Sequence, residues 1–316
     1  MLSIHLVFLF LLLRWSLSYR MPDFQMMEVN LGEDVGLGSD SDMDPETVQK
    51  VLDGVERGNR ESIYFYGLMK MYGIKVPQDK AIAASMFERA ARLGHVEATT
   101  AFGMMLMHGE GIENGINIPK AITFFKQGVS LGDMNAHWLL GKLLLEGNDA
   151  GPAEQKEAFE LLSRAAEENV MQAQHLLGVL YEYGIGTEVS WENAGIWYRR
   201  ASGQDYWEST YHLALMYAYG RLPQDFKKAL ALLERAARAE HAPSIYYMGV
   251  FKMRGYGCEP DYERAINWFE RAAGMGDFRV NEMATTAAAE LKALMLKAQK
   301  VNEGIIERYE EMGQDY

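Results

Sequence analysis

Apolar positions recur in this chain at two distances, one of a few residues and one of about thirty-six. Six segments open on Ala or Ser and close five residues later on Gly or Ala: Ser62–Gly67, Ala98–Gly103, Ala136–Gly141, Ala173–Gly178, Ser209–Ala214 and Ser244–Gly249. Their closing residues are spaced 36, 38, 37, 36 and 35 apart. A second series keeps step: Ala83, Ala121, Ala158, Ala194, Ala229 and Ala265. Large apolar pairs follow it at +3 and +4: Met86-Phe87, Phe124-Phe125, Leu161-Leu162, Trp197-Tyr198, Leu232-Leu233 and Trp268-Phe269. Small residues return at +7 and +8, with Val129 the one exception. Offsets of 3, 4, 7 and 8 fall on one face of an α-helix. The spacing therefore predicts pairs of short helices whose bulky residues enter grooves lined by Gly and Ala, as dense interdigitation requires.

The helix stops are as regular as the faces. Gly73, Gly109, Gly147, Gly184, Gly220 and Gly255 close the first helix of each pair. Gly94, Gly132, Asn169, Asp205, Glu240 and Gly276 close the second. Glycine accepts the left-handed conformation of a helix C-cap, which a β-carbon disfavours. Pro77, Pro119, Pro152, Pro223 and Pro260 fall in the turn or near the second helix start, where a missing N–H costs least. Self-similarity at this period predicts a repeat array over residues 59–276.

The flanks differ in character. Residues 46–58 match a second helix alone, so they form an N-terminal capping helix, with Asp44 and Pro45 suited to start it. Residues 277–316 continue as a helix rich in Ala and Leu, then a charged tail, and close the other end. Residues 21–45 form an acidic leader with few aromatics, expected to be disordered. Residues 1–20 contain the apolar run IHLVFLFLLL at Ile4 to Leu13. Three readings of it stand side by side: a signal peptide cleaved after Ser18, an uncleaved anchor over Leu2 to Tyr19, and a cytosolic chain begun at Met21.

The combined pattern resembles the Sel-1-like repeat family, longer relatives of the tetratricopeptide repeat. AQHLLGVLYEYGIG at Ala173–Gly186 and AINWFERAAGMG at Ala265–Gly276 carry the resemblance, which covers about residues 47–285. It implies an all-α, right-handed alpha-alpha superhelix of about six helix-turn-helix repeats with helical caps. It also implies a protein-interaction adaptor. The family's known settings include ER-associated degradation beside a membrane ubiquitin ligase, mitochondrial assembly, and signalling in the cytosol. Protein partners are then expected on the concave face, and membrane contact only through residues 1–20 if they stay attached.

Charge and chemistry narrow this little further. The formal net charge is −13, and residues 23–46 hold eight acids and no Lys or Arg, a poor match to phosphate backbones and nucleic acid. Cys258 is the single cysteine, so no intramolecular disulfide and no cysteine-based metal site is available. No phosphate-binding glycine loop or G-x-S-x-G nucleophile motif occurs, and no cofactor or catalytic residue is indicated. His95 and His241 occupy equivalent repeat positions and read as structural, while a metal site from His137 and His175 lacks recurring acidic or thiolate partners. The position three residues before the first-helix glycine holds Tyr64, Thr100, Trp138, His175, Tyr211 and Tyr246. Tyr64, Trp138, His175, Tyr211 and Tyr246 are candidate protein-binding residues if displayed, since aromatics make rigid contact area. Packing between neighbouring first helices is the competing reading.

Overall fold

The computed structural model describes residues 45–146 and 150–313. The expected leader and apolar segment lie outside the described residues up to residue 44, as does the stop at Gly147. Among the described residues the regular elements are fourteen α-helices. The first is α1 (Pro45–Glu56). Six pairs follow. Their first helices are α2 (Arg60–Tyr72), α4 (Val96–His108), α6 (Met134–Glu146), α8 (Met171–Tyr183), α10 (Trp207–Ala218) and α12 (Ala242–Arg254). Their second helices are α3 (Lys80–Arg92), α5 (Ile118–Ser130), α7 (Pro152–Glu167), α9 (Trp191–Gly203), α11 (Phe226–Arg238) and α13 (Tyr262–Ala273). The chain ends in α14 (Phe278–Gly313), 36 residues long and unbroken where a separate tail was expected. Among these helices none is long and apolar enough to cross a membrane.

Two compact units result. One runs up to Leu176 and takes in Tyr183–Glu188; the other takes Leu177–Glu182 and continues from Val189. Both follow the same packing rule. Of each bulky pair, the second member is fully buried: Phe87, Phe125, Leu162, Tyr198, Leu233 and Phe269 are all 0% exposed. Its ring or branch lies on the first-helix glycine. A β-carbon added to Gly67, Gly103, Gly141, Gly178 or Gly249 would stand 2.6–2.9 Å from the facing side chain. The first member of each pair, from Met86 to Trp268, stays half-buried. The small residues at +7 and the buried Ala at the series origin complete the contact.

The helix ends obey the sequence. Asp79, Asn117, Ser190, Asp225 and Asp261 cap the second helices by accepting backbone N–H groups. All six expected stops of the second helices have positive φ: 80° at Gly94, 84° at Gly132, 68° at Asn169, 59° at Asp205, 61° at Glu240 and 77° at Gly276. The second glycine of each G-x-G serves a different need. A β-carbon on Gly111 would stand 2.0 Å from the Lys80 carbonyl, and one on Gly186 2.2 Å from that of Gln155. These glycines let the turn of one repeat seat on the start of the preceding second helix.

Candidate functional site

The row singled out in the sequence is mostly interior. Tyr64, Trp138, His175 and Tyr211 are buried, with exposures of 7%, 5%, 2% and 7%. Tyr246 alone among the five is half-buried. The reason is a regular contact: each row residue packs on the residue that begins the next first helix. The Tyr64 ring lies 4.3 Å from that of His95, the N-cap of α4. Thr100 donates to Asp133 at 2.5 Å, just ahead of α6. Tyr211 lies 5.7 Å from His241, the residue before α12.

Polar groups around the row are tied into the packing. In the N-terminal unit, His95 Nδ1 accepts from the Ala98 N–H at 3.2 Å, which leaves Nε2 facing Glu61 at 2.8 Å. Burial pushes the Asp133 carboxyl above the usual range, against the hydrogen bond from Thr100. In the C-terminal unit, the Tyr198 hydroxyl donates to Glu182 Oε2 at 2.8 Å, and His212 Nδ1 stands 3.7 Å from the same oxygen. Burial alone would raise Glu182, yet His212 and the tyrosine hydroxyl hold its carboxyl below the ordinary value. The His212 ring stacks on Tyr198 at 5.1 Å. His241 Nδ1 pairs with Ser244 Oγ at 2.8 Å, and its Nε2 is 3.9 Å from Glu208. Burial, helped by the nearby His212, pushes the His241 imidazole down to about 4. Burial raises the Glu208 carboxyl. Among the described residues, no group of three or more His, Cys, Asp or Glu side chains converges as a metal ion would need.

The row opens at its last step. Tyr246 on α12 forms one side of a groove of about 350 Å³, and Glu282, Met283, Thr286, Ala287 and Glu290 of α14 form the other. The Tyr246 ring leans on Phe269 at 5.4 Å and meets Tyr247 edge-on at 5.5 Å. One repeat earlier, Tyr211 is closed over by His241 and by Tyr247, the latter at 5.4 Å. At the equivalent places around Tyr246 stand Asp277 and Met283, neither of them a ring. Met283 remains 50% exposed.

Comparison with known proteins fits this geometry. The family model for the Sel1 repeat matches residues 60–95, 96–133, 135–170, 172–206, 207–241 and 242–277. The chain belongs to the Sel1 repeat family. Two relatives are fungal. Chitin synthase regulatory factor 3 of Schizosaccharomyces pombe is 27% identical over 253 residues, 78% of this chain and 27% of that protein. Chitin synthase regulator SKT5 of Saccharomyces cerevisiae is 30% identical over 146 residues, 44% of this chain and 21% of that protein. The chain thus spans about a quarter of the length of these relatives. Among solved structures, a Sel1 repeat protein from Oxalobacter formigenes is 25% identical with a TM-score of 0.62, covering 73% of this chain and 90% of that one. The protective antigen c5321 of uropathogenic Escherichia coli, described as displaying an SLR fold, gives a TM-score of 0.67 at 24% identity, over 78% of this chain and 51% of that one.

The Sel1 repeats of this chain hold one device that the small–large pattern did not disclose. Arg89 donates to the Val55 carbonyl at 3.1 Å and Arg271 to the Ala237 carbonyl at 3.2 Å. Arg235 donates to the Ser202 carbonyl and, at 2.6 Å, to its hydroxyl. Each arginine is six residues after the series alanine, and each reaches the end of the preceding second helix. A cation there meets unpaired carbonyls and the negative end of the helix dipole. The recurrence of Arg at that offset, at Arg89, Arg164, Arg200, Arg235 and Arg271, was the available signal.

Proposed function

We propose that this chain is a protein-interaction scaffold, a non-catalytic adaptor that holds or regulates partner proteins. The observation that carries this is the run of six Sel1 repeats over residues 60–277, in a family whose fungal members matched here are named as regulators of an enzyme. The geometry supports it. The buried histidines, acids and aromatics of the first helices are engaged with one another in structural contacts, and the groove beside Tyr246 offers apolar surface with carboxylates on its rim. The finer reading places the adaptor in the secretory pathway, in ER protein quality control beside a ubiquitin ligase. The apolar run Ile4–Leu13 favours that setting.

A second setting has its own support. The fungal relatives are named for chitin synthase, so regulation of a partner enzyme outside quality control is the competing use of the same scaffold. Proximity labelling of the full chain with its native N-terminus intact separates them. Quality-control components protected from protease in intact microsomes support the ER setting. Labelling confined to cytosolic proteins overturns it. A neighbour set no different from that of an inert cytosolic protein overturns the scaffold reading itself.

A further inference from the structure

The row of first-helix residues is closed at each documented step by the repeat that follows. Tyr64 is covered by His95, Thr100 is bonded by Asp133, and Tyr211 is enclosed by His241 and Tyr247. Tyr246 is the last of the row, and α14 follows it in place of another first helix. By register, Val280 to Thr285 of α14 correspond to Ser244 to Gly249 of α12. The correspondence fails where the cover belongs. Met283 takes the place of Tyr247, and Asp277 that of His241. A thioether and a short carboxylate leave the tyrosine face incompletely covered, and the groove of about 350 Å³ is the result.

We propose that this groove is a docking site for a segment of a partner protein that bears an Arg or Lys one helical turn from a large apolar side chain. The inference rests on the scaffold reading and names the chemistry of the partner. Three features select that chemistry. The floor is apolar, from Met283 and Ala287, and suits an aliphatic or aromatic anchor. The rim holds Glu282 and Glu290, both exposed and two turns apart on α14. A basic side chain between them gains two carboxylates and the π-face of Tyr246, the geometry of a cation–π contact. The chain as a whole is acidic, which steers basic segments toward it. An acidic segment would meet two carboxylates of its own sign, and a purely apolar one would leave them without partners.

The test uses the full chain and a fluorescent helical peptide with Arg and Leu one turn apart, read by anisotropy. Binding should weaken about three- to tenfold in the double variant Glu282→Gln/Glu290→Gln, as loss of exposed charge pairs implies. The control double variant Glu259→Gln/Glu263→Gln changes net charge equally, outside the groove, and should bind as the parent does. Met283→Arg puts a cation on the exposed floor without touching the core, and should abolish binding while the melting temperature holds. A peptide with Glu in place of Arg should not bind. Equal weakening in both double variants would show attraction by net charge alone and overturn the groove. So would undiminished binding to Met283→Arg. Partners still captured in cells by the Met283→Arg chain would sink the groove yet leave the scaffold standing. A parent chain that captures none sinks the scaffold first.

Discussion

The Phe87 ring lies across the backbone of Gly67, so close that a β-carbon there would stand 2.7 Å from the ring edge. The same relation joins Gly249 to Phe269 at 2.6 Å. Real β-carbons do not approach so closely, and both rings are fully buried with no room to withdraw. Gly249→Ala is therefore expected to lower stability by about 1–3 kcal/mol, although alanine favours helix over glycine by about 1 kcal/mol. Chemical denaturation of the single variant measures the loss. Combining it with Phe269→Leu should recover part of the loss, because the smaller side chain leaves space for the new methyl. A stabilised Gly249→Ala chain would show that close backbone approach is not why glycine stands there.

Glu240 ends α11 with φ of 61°, where Gly94, Gly132 and Gly276 stand in three other repeats. Asn169 and Asp205 share the left-handed conformation, which short polar side chains tolerate better than Glu does. Glu240→Gly removes the strain and gives back part of the gain as flexibility of the unfolded chain. The net expectation is a gain of about 0.5–1 kcal/mol, with a smaller gain for Asn169→Gly. Thermal midpoints of the two variants, compared with the parent, decide it. A loss at Glu240→Gly would mean that its side chain contributes more than the backbone strain costs.

The fold was legible because it depends on spacing, and spacing survives in a single sequence. Ala83 to Ala265 and Gly67 to Gly249 keep phase over six units, and each paired ring lies on the glycine its register assigns. The stops at Asn169, Asp205 and Glu240 were readable from period alone, since none is a glycine. Exposure of the row was not legible. Tyr211 and Tyr246 share one repeat position, yet one is buried and the other half-buried. The difference lies in what the next repeat sets over them, His241 and Tyr247 in one case and Asp277 and Met283 in the other. The arginine contacts escaped for a related reason. Arg271 and its acceptor carbonyl at Ala237 are 34 residues apart, and backbone acceptors carry no side-chain signature.

Arg235 reaches further than its equivalents, donating to Ser202 and to Thr210 Oγ1. Its guanidinium also stands 5.6 Å from the Trp207 ring centre. Arg235→Met keeps much of the aliphatic stem and removes the donors, leaving a helix-end carbonyl and two hydroxyls to rearrange. A loss of about 1.5–3 kcal/mol is expected, the range for hydrogen bonds from charged groups. Arg235→Lys should recover less than half, since a single ammonium cannot reproduce the planar fork. Denaturant midpoints for the pair test this, and full recovery by Lys would show that charge alone suffices.

His241 titrates near 4, below the ordinary imidazole, because burial disfavours its charged form and His212 adds repulsion. Asp277 acts weakly the other way, Glu208 faces Nε2 at 3.9 Å, and Ser244 holds Nδ1. A depressed folded value means that the unfolded chain takes up the proton first. The contribution is whole above about pH 6.5, declines as pH falls, and is gone below about 4. Its size is a few kcal/mol at about 1.4 kcal/mol per unit. Glu208, raised by burial, has the opposite sign: its contribution is present at low pH and is lost as pH rises. The difference in stability between parent and His241→Gln isolates the histidine. That difference should move in favour of the variant between pH 6.5 and 4, and a pH-independent difference would assign the imidazole no linkage.

Tyr211 and Tyr246 offer the sharpest comparison, because the same substitution asks two different questions. Tyr211→Ala removes a ring that is 7% exposed and touches His212, His241 and Tyr247, so the void cannot refill from solvent. A cost of about 3–5 kcal/mol is expected, as for other buried aromatics cut to alanine. Tyr246→Ala removes a ring already open on the groove side, and should cost about half as much. Binding should reverse the order. Tyr246→Ala should weaken capture of the Arg–Leu peptide at temperatures where the chain is still folded, whereas Tyr211→Ala should leave capture unchanged until it unfolds. Melting curves and peptide titrations on the same two preparations separate the roles. If Tyr211→Ala weakens capture in the folded chain as much as Tyr246→Ala does, the whole row is a partner surface and the burial of Tyr211 is no measure of its use.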